Sequence, residues 1–94
     1  MATSHRLQTD AIIPAGELLR EELESRGMTQ KQLAQAMARP AQVISEICRG
    51  KKEITAETAL VLEEVLGTPA HVWLSLEADY RLALARKKRL EQTS

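Results

Sequence analysis

The chain contains no phenylalanine, one tryptophan and one tyrosine, so aromatic residues are only 2% of its 94 positions. β-Sandwiches and barrels draw heavily on aromatic and β-branched residues. Here the 44% of residues that are apolar are mostly Leu, Ile, Val and Ala, a composition that suits packed helices and predicts an all-α fold. The single cysteine, Cys48, excludes an internal disulfide. No apolar run approaches the ~20 residues needed to span a bilayer, and Met1 to Thr9 lacks the apolar segment of a signal peptide. A reducing cytoplasm is the expected location. His5 and His71 have no Cys or His neighbours at zinc-ligand spacing, and no nucleophile–base pair or Gly-rich phosphate loop can be assembled. No metal, cofactor or catalytic residue is therefore expected. There is also no excess of charge, with 13 basic against 13 acidic residues.

The balance is local rather than uniform. Between Met28 and Lys52 stand five basic residues (Lys31, Arg39, Arg49, Lys51, Lys52) against one acid, Glu46, which is a basic stripe of the kind that meets phosphates. The acids collect elsewhere, chiefly from Glu17 to Glu24, where Glu21, Glu22 and Glu24 read as the solvated side of a helix.

Helix stops punctuate the rest. Residues 1–12 are mostly polar and unpatterned and read as a flexible arm. Pro14 supplies a helical φ near a helix start, and helix-forming residues then run to Gly27, with Leu19, Leu23 and Arg26 on one face. Thr29-Gln30-Lys31-Gln32 fits a capping box and opens a second helix, whose inward residues are Leu33, Ala34 and Met37. Pro40 drives Arg39 out of the α region and starts the next helix, which runs from Ala41 to Arg49 and is closed by Gly50. Two short helices joined by so tight a turn are the signature of a helix-turn-helix, here residues 29–49. Thr55 caps a fourth helix through Leu62 to Leu66, closed by Gly67. Thr68-Pro69 caps and starts a fifth, expected over residues 69–90 with 91–94 as a tail, in which Trp73, Leu76, Tyr80 and Leu84 recur at helical spacing. That helix is longer than a four-helix core can cover, so its distal half needs a second partner. The whole unit, residues 13–90, reads as one five-helix domain with an extended last helix.

At 100° per residue, Ile44, Ile47 and Cys48 share one side of the third helix, and Gln42, Ser45, Glu46 and Arg49 the other. The outer set is chemically apt for reading base edges: Gln pairs with adenine, Arg with guanine, and Glu accepts from the cytosine amino group. Ala41 and Val43 flank it and can meet a thymine methyl. Any surface helix shows polar residues outward, and what distinguishes this one is its setting. Arg39, Arg49, Lys51 and Lys52 stand at its ends, and Thr29, Gln30 and Lys31 open the helix before it, so base contacts are expected from Ala41, Gln42, Val43, Ser45 and Glu46 and phosphate contacts from the other seven. Cys48, on the apolar face, reads as a small buried hydrophobe rather than a redox switch. Trp73, Tyr80 and Leu84 read as core or as contacts with a second copy or a partner. Arg86-Lys87-Lys88-Arg89 is either a solvated helix end or a surface for DNA or an acidic partner.

The stretch from Leu33 to Arg49 followed by Gly50-Lys51 resembles the helix-turn-helix of lambda-repressor-like, Xre-type regulators. Ile54-Thr55-Ala56-Glu57-Thr58-Ala59-Leu60, Leu66-Gly67-Thr68-Pro69 and Trp73-Leu74-Ser75-Leu76-Glu77 narrow the resemblance to HigA-type antitoxins, also called virulence-associated protein I. The resemblance implies base reading at Ala41, Gln42, Val43 and Glu46 and phosphate contacts at Thr29, Gln30 and the Gly50-Lys51 region. It also implies a homodimer on a palindromic operator, repression of the protein's own toxin–antitoxin operon and binding of a small mRNA-cleaving toxin. The alternative within the same family is a stand-alone Xre-type repressor, without a toxin partner and controlled by a separate ImmA/IrrE-type peptidase. Members of the family carry Gly where Ala38 stands, so Ala38 must either avoid a left-handed backbone or accept its strain. The family's His-Pro-Gly-Glu opening reads here as Ile13-Pro14-Ala15-Gly16-Glu17.

Overall fold

Five helices carry the part of the chain that the computed structural model describes, residues 12–93. They are α1 (Ala15–Arg26), α2 (Gln30–Met37), α3 (Ala41–Cys48), α4 (Ala56–Leu66) and α5 (Ala70–Thr93), with no strand among the described residues. The expected N-terminal arm lies outside them, apart from Ile12.

The helix boundaries follow local chemistry. Thr29 Oγ1 accepts from the Gln32 amide (3.0 Å) while Gln32 Oε1 accepts from the Thr29 amide (2.9 Å), completing the capping box at α2. Thr55 Oγ1 accepts from the Thr58 amide (3.3 Å) at α4. At α5 the cap expected of Thr68 is supplied from α4, since the Ala70 amide donates to Glu63 Oε1 (2.8 Å). The last helix also runs past Leu90 through Thr93, because Glu91 and Gln92 are good helix formers and neither Pro nor Gly intervenes.

α1 ends in a left-handed Gly27 with the Met28 amide donating to Leu23 O (2.9 Å). α2 ends the same way at Ala38, with φ 56° and ψ 43°, and the Arg39 amide donates to Ala34 O (2.9 Å). Ala38 thus accepts the left-handed backbone, a conformation that costs an L-residue about 1–2 kcal/mol. The left-handed residue reverses the chain at the end of α2, and α3 starts at Ala41, after Ala38, Arg39 and Pro40.

α2 packs on α3 and α4, α1 on α3 and α5, and α4 on α5. Their inner faces bury Leu19, Leu23, Leu33, Met37, Ile44, Ile47, Leu62 and Leu66, joined by Ile54 from the loop before α4, each worth about 1.5–3 kcal/mol. Trp73 belongs to this core too, at 2% exposure. Of the two roles open to it, packing within its own chain is the one it takes, and a residue so enclosed has no surface for a second copy. Arg26, on the α1 face expected from the spacing, reaches across to donate to Leu66 O at the end of α4 while pairing with Glu22 (2.9 Å).

The distal half of α5 runs beyond the core. From Leu82 to Gln92 its residues are half-buried or exposed, with Leu82 at 50% and Leu90 at 71%.

Candidate nucleic-acid interface

The third helix is held from behind by its apolar side. Ile44, Ile47 and Cys48 are buried, as the helical spacing requires, and this leaves the opposite face to solvent. Ala41, Gln42 and Arg49 are exposed, while Ser45 and Glu46 are half-buried. Gln42 Nε2 lies 3.4 Å from Glu46 Oε2 one turn on, a long hydrogen bond that aligns two of the expected base readers on one line. Val43 differs from its expected place, because its side chain is half-buried and packs on the core. Only its outer edge remains for a thymine methyl.

The flanking cations divide into two groups. Lys51 and Lys52 are exposed, and their amides both donate to Glu46 O (2.9 and 3.2 Å). The loop that carries them is thereby fastened to the last turn of α3, and its position follows the helix. Arg39, by contrast, is half-buried and points to α4, where its Nη2 stands 3.7 Å from Oε2 of the exposed Glu57. Such pairs contribute little, so Arg39 can exchange Glu57 for a phosphate, but it is not grouped with the lysines.

Lys31 and Gln30 open α2, where amides left free by the helix start favour anions. Thr29 is already engaged through its oxygen in the capping box. Its hydroxyl proton is what it has to offer a phosphate.

Two approaches that the sequence did not announce hold α3 in place. A β-carbon at Gly16 would fall 2.7 Å from Cys48 Cα and closer still to Ile47 O. α1 and α3 therefore meet backbone to backbone, and the glycine is the reason they can. At Gly50 (φ 76°), a β-carbon would sit 3.0 Å from Pro14 Cγ and 3.2 Å from Tyr80 Oη. Tyr80 is thus directed at the end of α3 from the middle of α5, and it is half-buried there. Leu84, also half-buried, lies one turn on.

Cys48 sits at the same crossing. Burial pushes its thiol above the ordinary 9.0, with Arg20 pulling it down and Glu17 pushing it up. The protonated thiol is an inert filler at neutral pH.

The helix-turn-helix family model HTH_3 matches residues 19–73, which takes in α2, the turn and α3. The chain is 40% identical over 76 residues to virulence-associated protein I of Dichelobacter nodosus, covering 80% of this chain and 70% of that one. Among solved structures, an addiction module antidote protein of a HigA family from Coxiella burnetii is 38% identical, with a TM-score of 0.80 and 86% of this chain and 89% of that chain covered. The Pseudomonas aeruginosa antitoxin HigA, solved with the higBA promoter, is 30% identical with a TM-score of 0.82, covering 89% of this chain and 92% of that one.

Proposed function

The chain belongs to the helix-turn-helix family HTH_3, and from that premise we infer that it is a sequence-specific DNA-binding repressor of the antitoxin type. The observation that carries this reading is the third helix. Its apolar side is buried, its outward side presents Gln42, Ser45, Glu46 and Arg49, and a loop with two exposed lysines is tied to its end. The P. aeruginosa relative was solved with the higBA promoter, which supports DNA binding by this chain.

Base edges are read by Gln42 and Glu46, with Ser45 assisting and Ala41 and the outer edge of Val43 supplying apolar contact. Thr29, Gln30, Lys31, Arg49, Lys51 and Lys52 grip the phosphates, and Arg39 joins them by giving up Glu57. Two copies place their third helices in successive major grooves about 34 Å apart on a palindrome. Tyr80 and Leu84, with the exposed distal half of α5, supply surface for the second copy or for a toxin. The protein works by binding rather than by catalysis, in the cytoplasm beside its DNA.

The test is binding of the purified chain to a duplex of its own upstream region and to a scrambled duplex, across a salt series. Selective binding that weakens steeply with salt is expected. Gln42→Ala should lose about 1–3 kcal/mol on the upstream duplex and almost nothing on the scrambled one; equal losses on both would remove Gln42 from base reading. Coexpression with the neighbouring reading frame addresses the toxin, with rescue of growth and a copurifying complex expected.

A further inference from the structure

Lys51, Lys52, Glu53 and Thr55 line an open cleft of about 480 Å³, and the fifth wall is Arg81, which comes from α5. Arg81 is 30 residues from Lys51, and the helix-turn-helix pattern gives no reason to single it out. It is held firmly. Its Nε donates to Glu77 Oε2 one turn earlier, and Glu77 is 5% exposed. The guanidinium also lies 4.9 Å from the centre of the Tyr80 ring, and Tyr80 in turn faces Gly50.

A guanidinium has five N–H donors. With Nε committed to the buried carboxylate, the Nη groups make no hydrogen bond or ion pair with the described residues. They present the planar, two-pronged donor set that suits a phosphate. Arg81 is also set in place before any ligand arrives, so little side-chain entropy is lost on contact.

We propose that Arg81 is a DNA-backbone contact, a phosphate clamp contributed by the last helix alongside Lys51 and Lys52. This rests on the DNA-binding reading and extends it from the helix-turn-helix to α5. The lysine loop is fastened to Glu46 O at the end of α3, so a duplex seated on α3 runs its flanking backbone past this cleft. Glu53 and Glu77 leave the three cations a net charge of one. Arg81 therefore adds about one phosphate contact to those of Lys51 and Lys52, and the cleft is not a general basic field.

One contact corresponds to a slope of about 0.9 in log affinity against log salt, or about 3.5-fold over a fourfold rise in salt. The experiment compares wild type, Arg81→Gln and Arg81→Lys on the upstream and scrambled duplexes between about 50 and 200 mM salt. Arg81→Gln is expected to weaken both duplexes alike at low salt and to lose about 3.5-fold less affinity over that range than wild type, while Arg81→Lys retains the wild-type slope. A folded Arg81→Gln protein with the wild-type slope overturns the clamp and leaves the repressor reading intact. A wild-type chain that binds neither duplex refutes both. Should Arg81→Gln fail to fold, the Nε–H resonance of Arg81 in the wild-type protein decides the matter: displacement on adding duplex supports the contact, and an unmoved resonance refutes it.

Discussion

Gly16→Ala places a methyl group where the structure has α3 backbone. The new Cβ would stand 2.7 Å from Cys48 Cα and from Ile47 C, and nearer to Ile47 O, against ordinary carbon contacts of about 3.5–4.0 Å. None of these atoms can swing aside as a side-chain tip would, so α1 and α3 must separate by roughly 1–1.5 Å. Overpacking of this kind costs about 1–3 kcal/mol and sometimes more, and a backbone obstacle argues for the upper end. Alanine returns about 1 kcal/mol as a better helix former, which leaves a net loss of about 2 kcal/mol. For a domain of this size that is a fall in Tm of roughly 8–16 °C. The assay is convenient, because Trp73 is the only tryptophan and is buried, so its emission reports unfolding in urea or on heating. The displacement falls on the helix that carries Gln42 and Glu46, so any folded fraction should lose preference for the upstream duplex over the scrambled one. A Gly16→Ala protein as stable as wild type would refute the close crossing of α1 and α3 and the positioning argument built on it.

Ala38→Gly should stabilise the protein. It relieves about 1–2 kcal/mol of left-handed strain at φ 56°, and greater freedom in the unfolded chain takes back about 0.4–1 kcal/mol. A net gain of about 0.5–1 kcal/mol would appear as a rise of a few degrees in Tm, and a less stable variant would contradict the geometry of the turn. Cys48 should react slowly with a thiol reagent in the native protein at pH 8 and promptly in urea, since its thiol is buried. Because burial raises the folded-state pKa above 9.0, the folded form holds this proton more tightly than the unfolded form. The associated stability is present below that pH and is lost as pH rises beyond it. Prompt labelling of the native protein would place Cys48 at a surface.

Much of the scaffold of the candidate interface is legible in the sequence because its signals are local. The capping box at Thr29, the proline after Arg39 and the spacing of Ile44, Ile47 and Cys48 each act within one or two turns of chain, and each is found where the pattern put it. Val43 and Arg39 were harder to place. Whether Val43 leans on the core and whether Arg39 meets Glu57 depend on where α4 and the rest of the core lie. Trp73 was ambiguous for a similar reason: helical spacing identifies an apolar face without saying what covers it, and its own chain does. Arg81 carries no local mark, since one of several arginines on a long helix looks like any solvated residue.

What the sequence determined by itself is the set of helices, their stops, and the side of α3 that faces out, because propensity, capping and periodicity act over a few residues. Gly16 seated against the α3 backbone, the left-handed turn at Ala38 and the meeting of Arg81 with Lys51 and Lys52 were decided only by the tertiary structure. The first and the last join parts of the chain about 30 residues apart, and the turn takes its strain because α2 and α3 must both reach the core. Such requirements follow from how the helices close on one another rather than from the residues beside them.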